Sequence, residues 1–269
     1  MKKPCLLFFI FVFFFTPSLT AQETPLKGKA AGVQLQGEKL EAPAPELDTT
    51  FIILGTMTDY MGRKVGLKST DFVDRYFDYE AALYEFIQES TSEVIELSQK
   101  GRNIKLLSDE LAKKLNSYYT FKKEGASSKD GRNWAGTLQG TFNKARLQTR
   151  AQKQSFLMGT LLRYGEDLGS DIYKIQLANS SAKCTIIVDL LQDLGCTQIY
   201  YYRNPDLIPV STSIYFKPTD AFKKQLMPFA GIMATIKKAK IKYYQEMVNQ
   251  EFSWPEDTRM AALKELWTK

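Results

Sequence analysis

The 269-residue sequence contains no histidine. That absence removes the commonest general base, the commonest zinc ligand and the side chain that ordinarily titrates near neutral pH. Cysteine is scarce, with Cys5, Cys184 and Cys196 making three. Beyond residue 21 no apolar run approaches the roughly 20 residues that a membrane-spanning helix needs. Gly-rich phosphate loops, zinc spacings, calcium-loop spacings and dinucleotide fingerprints are missing, and no internal repeat stands out at any period. No cofactor, no metal and no catalytic set is expected, so the sequence predicts a protein that binds rather than an enzyme. Its 44% hydrophobic, 25% charged and 13% aromatic residues are those of a folded chain with enough bulk for a core, which excludes wholesale disorder.

The amino terminus reads Lys2-Lys3, then an apolar run from Leu6 to Phe15, then small residues up to Ala21. This is the pattern of a secretory leader over residues 1–21, cut after Ala21. It predicts a periplasmic or secreted protein with no transmembrane span once the leader is removed. Without Lys2 and Lys3 the formal charge falls from +6 to +4, since the leader holds no acid. Cys5 precedes the apolar run and would leave with it. Residues 22–47 hold several Pro and Gly and no aromatic residue, the composition of a flexible linker. Two cysteines remain in the mature chain, and an exported protein invites a disulfide. Against it, Thr185–Leu194 reads as an amphipathic helix ended by Gly195, which would hold Cys184 and Cys196 about 18 Å apart, whereas a bridge needs Cα atoms within about 7 Å.

The fold expected is α+β and predominantly helical. Phe51-Ile52-Ile53-Leu54 is short and β-branched enough for a buried strand. Helices follow over 71–97, 106–119 and 134–168, from apolar spacings such as Leu107, Leu111 and Leu115. They predict an amino-terminal helical bundle over about 70–168 within a helical domain 48–168. The second domain, 169–269, opens with a β-α-β-β segment at about 171–217, its strands near 171–177, 197–203 and 211–217. Carboxy-terminal helices complete it, the last beginning at Ser253-Trp254-Pro255 and docking through Met260, Leu263 and Trp267.

Charge is blocked. Residues 71–96 hold eight acids against Arg75, whereas 122–163 are strongly basic. If 134–168 is one helix, Arg146, Arg150 and Lys153 share a face, and these three are the candidate partner-binding residues. A third cluster is Lys237, Lys238, Lys240 and Lys242. No nucleic-acid motif accompanies these charges, and nucleic acid is not an expected partner.

Ser180-Ser181-Ala182-Lys183 matches the Ser-x-x-Lys pattern in which a lysine activates a serine in penicillin-binding enzymes, but the companion Lys-Thr-Gly is absent. Gln88-Glu89-Ser90 resembles the tripeptide around the catalytic acid of lytic transglycosylases, which would make Glu89 the acid of a carboxylate-dependent glycan hydrolase. Tyr173–Ala178, Leu190–Gly195 and Ser213–Phe216 together resemble the first part of a SPOR domain. That resemblance implies a peptidoglycan-binding β-α-β-β-α-β module at about 171–236, its fourth strand at Gly231–Ile236. Tyr200, Tyr201 and Tyr202 would then be the candidate glycan-binding residues, since aromatic faces stack on sugar rings. The leading expectation from the leader, long helices and charge blocks is a non-catalytic binding or accessory subunit of a bacterial envelope assembly of secretion or conjugation type. Its partners would be envelope proteins or cell-wall polymer.

Overall fold

The computed structural model describes residues 46–66, 70–123, 137–205 and 209–253. The expected leader, most of the linker, the loop at 125–131 and the last helix with Met260, Leu263 and Trp267 lie outside the described residues. The elements run in order as helix α1 (Thr49–Thr56), strands β1 (Arg63–Gly66) and β2 (Phe72–Phe77), helix α2 (Ala81–Ser90), strands β3 (Glu96–Lys100) and β4 (Asn103–Leu107), and helix α3 (Asp109–Asn116). Then follow β5 (Tyr119–Lys123), β6 (Thr137–Phe142), α4 (Arg150–Tyr164), β7 (Gly165–Asp167), β8 (Tyr173–Ala178) and α5 (Ser181–Asp193). The described chain closes with β9 (Thr197–Asn204), β10 (Ser211–Lys217), α6 (Asp220–Leu226) and α7 (Ala230–Ser253). Sheet A has the order β1-β6-β5, sheet B β2-β4-β3 and sheet C β7-β8-β10-β9, and every pairing in them is antiparallel.

The predominantly helical class and the amino-terminal bundle are both corrected by these strands. The expected strand at Phe51–Leu54 lies in helix α1, begun by Asp48, whose carboxylate accepts from the amides of Thr50 and Phe51. All six residues from Phe51 to Thr56 are buried. A helix enclosed on every side has no polar face, so its sequence shows no 3.6-residue period and reads like a core strand. The expected helix over 71–97 divides into β2, a 3-10 turn at Asp78–Glu80, α2 and the start of β3. Only Leu83 and Ile87, one turn apart, carry a buried helical face there. Likewise 137–142 is strand β6, where Gly140 lies under the ring of Phe121, and helix α4 begins only at Arg150. Thr149 caps it in reciprocal hydrogen bonds with Gln152.

Of the helix expected over 106–119 only Asp109–Asn116 is helical, since Leu107 lies in β4 and Tyr119 in β5. Ser108 caps α3, whose Leu111 and Leu115 are buried. Helix α5 ends at Gly195, which takes a φ of +78°, and Cys184 and Cys196 are free and buried. The SPOR topology is not formed. The fourth strand of sheet C is β7, ahead of β8, and 231–236 is helical.

An internal repeat absent from any periodic pattern emerges in three dimensions. Helices α1 and α4 pack glycine against helix in reciprocal fashion. A Cβ on Gly55 would lie 2.1 Å from the carbonyl oxygen of Phe156, and one on Gly159 would lie 1.9 Å from that of Ile52. Residues 52 and 55 thus play towards 156 and 159 the part that those play in return. After α4 the chain runs β7-β8-α5-β9-β10. After α1 it runs β1, then α3-β5-β6, with β2-α2-β3-β4 inserted between. Sheet A, in the order β1-β6-β5, repeats the β8-β10-β9 order of sheet C. One hydrophobic core gathers α1, α2, α3 and sheets A and B, and a second gathers α5, α6 and sheet C. Helix α4 serves both, giving Phe156 and Leu162 to the first and Leu157, Met158 and Leu161 to the second.

Candidate functional site

The last carbonyls of a helix have no partner within it and carry partial negative charge. At the end of α1 buried cations answer them. Lys183 on α5 donates from Nζ to the carbonyls of Gly55 and Met57, each at 2.7 Å. Arg163, near the end of α4, donates from Nη1 to Thr56 O at 2.8 Å. Its guanidinium also meets Asp74 at 2.7 Å and Glu80 at 2.8 Å, and lies 4.1 Å above the ring of Tyr76. Thr58 N donates to Asp74 and Phe77 N to Glu80, so the amides at both ends of the network are engaged as well. Arg63 is buried by the same logic, donating to the carbonyls of Val73 and Phe72 and to Asn116.

Beside Lys183 sits Asp59, also buried, on the wall of a cleft of about 450 Å³. Gln139 and Thr141 of sheet A and Arg203 and Thr212 of sheet C line it with Ser181. Burial raises the Asp59 carboxyl from 3.8 to about 6, the nearby Lys183 ammonium opposing and Asp74 adding to the rise. Burial lowers Lys183 from 10.5 to about 8 against the pull of Asp59. Between pH 8 and 10 the unfolded chain therefore holds the lysine proton more firmly than the folded one, and this group's contribution to stability rises with pH. Asp59 acts oppositely in acid, its contribution rising as pH falls from 6 towards 4. Relative to Lys183→Met, the wild-type protein is expected to gain about 2 kcal/mol between pH 8 and 10 in urea unfolding. Parallel pH profiles for the two proteins would refute the burial of a charged lysine.

The Ser-x-x-Lys pattern is accounted for by main-chain contacts. Ser180 Oγ donates to the carbonyls of Asp59 and Ala178, while Lys183 is held by those of α1. Glu89 is exposed on α2, outside any apolar pocket of the kind that raises a catalytic acid. Among the described residues no group of three His, Cys, Asp or Glu side chains is placed to hold a metal ion. The two helix ends differ. Where α1 is followed by Asp59-Tyr60, the repeat has Arg163-Tyr164.

Arg146 lies in a 3-10 turn, Arg150 is the exposed first residue of α4, and Lys153 pairs with Asp193 at 2.7 Å. They do not line a single helical face. Tyr200, Tyr201 and Tyr202 are 70%, 58% and 59% exposed on β9, the edge of sheet C. Alternation puts Tyr200 and Tyr202 on one face, in rows with Tyr215 and Lys174 and with Ser213 and Gln176. On sheet A the corresponding row is Lys64, Gln139 and Lys122. The strands of these two sheets carry Arg63, Lys64, Lys122, Lys123, Lys174, Arg203 and Lys217 against Glu166 and Asp167, both on edge strand β7.

No family model matches the sequence, and no curated protein matches it. Among solved structures the chain is similar to the homing endonuclease I-DmoI in complex with DNA and calcium, at 14% identity and a TM-score of 0.40 over 65% of this chain and 85% of that one. It is also similar to full-length DUF199/WhiA from Thermatoga maritima, at 12% identity and a TM-score of 0.36 over 83% and 68% of the two chains. Likenesses of this size assign neither family nor activity.

The envelope-subunit expectation is corrected. It rested on long acidic and basic helices, and the blocks at 71–96 and 122–163 are divided among strands, turns and separate helices. The exclusion of nucleic acid from the partners is corrected as well: it rested on the lack of a linear motif, and strand pairing gathers Lys64 with Lys122 and Lys174 with Lys217 on solvent faces that no linear motif announces.

Proposed function

We propose that this chain binds duplex DNA across the solvent faces of sheets A and C, which flank the paired ends of α1 and α4. The observation that carries the reading is the chemistry of those two sheets. On the faces of those sheets turned away from the two cores stand Lys64, Lys122, Lys174 and Lys217, the two carboxylates are confined to one edge, and Glu166 is tied to Lys237 at 3.0 Å. Basic side chains on a surface poor in acids supply the phosphate contacts that dominate affinity for nucleic acid. Gln139, Gln176 and the tyrosines of β9 add donors, acceptors and aromatic faces for sugars and base edges. The proposal is one of binding. At the place that Asp59 takes after α1, the repeat has Arg163.

Fluorescence anisotropy of the full chain with a duplex of about 30 base pairs, three helical turns, over a salt series tests this. Lys122→Glu/Lys217→Glu is expected to weaken binding at least about tenfold and to flatten the salt dependence by about two contacts. Tyr200→Ala/Tyr202→Ala should weaken it at every salt concentration and leave the slope unchanged. Absence of saturable binding at low salt, or a charge-reversed protein that binds as the wild type does, would overturn the reading.

A further inference from the structure

A cleft of about 1070 Å³ lies away from Asp59. Helix α7 forms one wall, and strands β7 and β8 of sheet C form the other. Its volume is at the upper end of the range of small-molecule sites, about 300–1,000 Å³. Leu162, Leu226, Met233 and Ile241 make the interior apolar, and Ala230 and Ala234 keep the α7 wall shallow. Met227, Ile241 and Tyr244 are 71%, 51% and 51% exposed along this one groove. Large apolar side chains scattered singly over a surface need no explanation, but their concentration on one concave surface points to a ligand.

Basic side chains outnumber acidic ones at the rim. Lys174, Lys223, Lys237 and Lys240 stand around the apolar walls with Glu166 and Asp167. Both acids are occupied: Glu166 pairs with Lys237, and Asp167 accepts from the amide of Gly169 at 2.8 Å. Lys223 is held by Asp171 at 2.7 Å. Lys174 and Lys240 have no carboxylate partner among the described residues. An apolar trough with unspent positive charge at its rim suits a molecule with an apolar body and an anionic head.

We infer that the groove between α7 and sheet C binds a free single-chain amphiphilic anion, such as a medium-chain carboxylate, its chain along Met233, Ala234 and Ile241 and its head at Lys174 and Lys240. Its chain-binding wall lies on α7, outside the DNA-binding reading, while Lys174 is common to both surfaces, so the titration without nucleic acid tests the groove by itself.

The test is titration of the full chain, without nucleic acid, with dodecanoate, decanoate and dodecyltrimethylammonium, each below its micelle concentration. Displacement of 1-anilinonaphthalene-8-sulfonate and calorimetry provide the readouts. Saturable one-to-one binding of dodecanoate is expected, with decanoate weaker by about tenfold for its two missing methylenes and the cationic amphiphile weaker still. Ala234→Trp, a substitution at an exposed position that fills the trough, should abolish binding, with melting temperature as the check on folding. Lys174→Glu/Lys240→Glu should reverse the preference between anion and cation.

Equal binding of both head groups would overturn the proposal, as would full binding by a folded Ala234→Trp protein. So would a full chain that binds none of these molecules. In that case a dimer dissolved by Ala234→Trp would assign the groove to a second copy, and binding regained by residues 1–253 would assign it to residues 254–269.

Discussion

Gly159→Ala is expected to destabilise the protein by about 3 kcal/mol or more, the upper end of what overpacking costs. The added Cβ would lie 1.9 Å from the carbonyl oxygen of Ile52. Both sides of the contact are helix backbone, so no rotamer change relieves it and α1 and α4 must move apart. Separation would also break the hydrogen bond from Thr160 Oγ1 to Gly55 O and loosen both cores, because α4 contributes side chains to each. For a folded region of this size the melting temperature should fall by about 6–12 °C. Gly55→Ala, whose Cβ would meet Phe156 O at 2.1 Å, should behave alike. Gly231→Ala is the control. No atom lies within 4 Å of its Cβ, it sits in a helix, and alanine there should leave stability unchanged or raise it by up to about 1 kcal/mol. If Gly159→Ala melted together with Gly231→Ala, the close approach of the two helices would be refuted.

The same helix pair shows why part of the fold was legible in the sequence and part was not. Strands β8, β9 and β10 alternate, and helices α3 and α5 carry apolar faces with caps, so local period and turn residues revealed them. Helices α1 and α4 are enclosed by other elements along most of their length, and burial on all sides erases the period that marks a helix. Their repeat shares few identities, Gly55 with Gly159, Thr56 with Thr160 and Tyr60 with Tyr164, and β2-α2-β3-β4 interrupts the first copy. What is retained is the glycine required at the crossing, and a single glycine is a weak signal in a sequence.

The candidate site was hidden for a related reason. Lys183 was visible as part of a short pattern, but its partners are carbonyls 126 and 128 residues away, and no local spacing announces a main-chain oxygen. Asp74 and Glu80 read as members of an acidic solvated stretch, although their partner Arg163 is 89 and 83 residues further on. The exposed tyrosines of β9 were legible as a strand with aromatic residues on both faces. Which ligand they meet depends on the charge of the neighbouring strands β8 and β10 and of sheet A, which only the pairing reveals.

Arg163→Met is expected to cost about 3–5 kcal/mol, the penalty for leaving buried charge without its partner. The Arg163 side chain is 4% exposed and those of Asp74 and Glu80 are 4% and 7% exposed, so water cannot replace the guanidinium. Two carbonyl groups besides the bridging pairs depend on its fork, Thr56 O at the end of α1 and Arg75 O in β2. Arg163→Lys should recover little, because an ammonium cannot reach two carboxylates and two carbonyls in a planar array. The triple variant Arg163→Met/Asp74→Asn/Glu80→Gln separates charge from shape. Its amide oxygens can still accept from Thr58 N and Phe77 N, the bonds that Asp74 and Glu80 now make, and no ion is left unpaired. Urea unfolding should therefore find the triple variant more stable than Arg163→Met by at least about 2 kcal/mol. If the single variant cost less than about 1 kcal/mol, the network would be a solvated surface pair. If the triple variant were no better than the single, the loss would lie in the carbonyl contacts and the packing over Tyr76, and the two carboxylates would not be the reason Arg163 is buried.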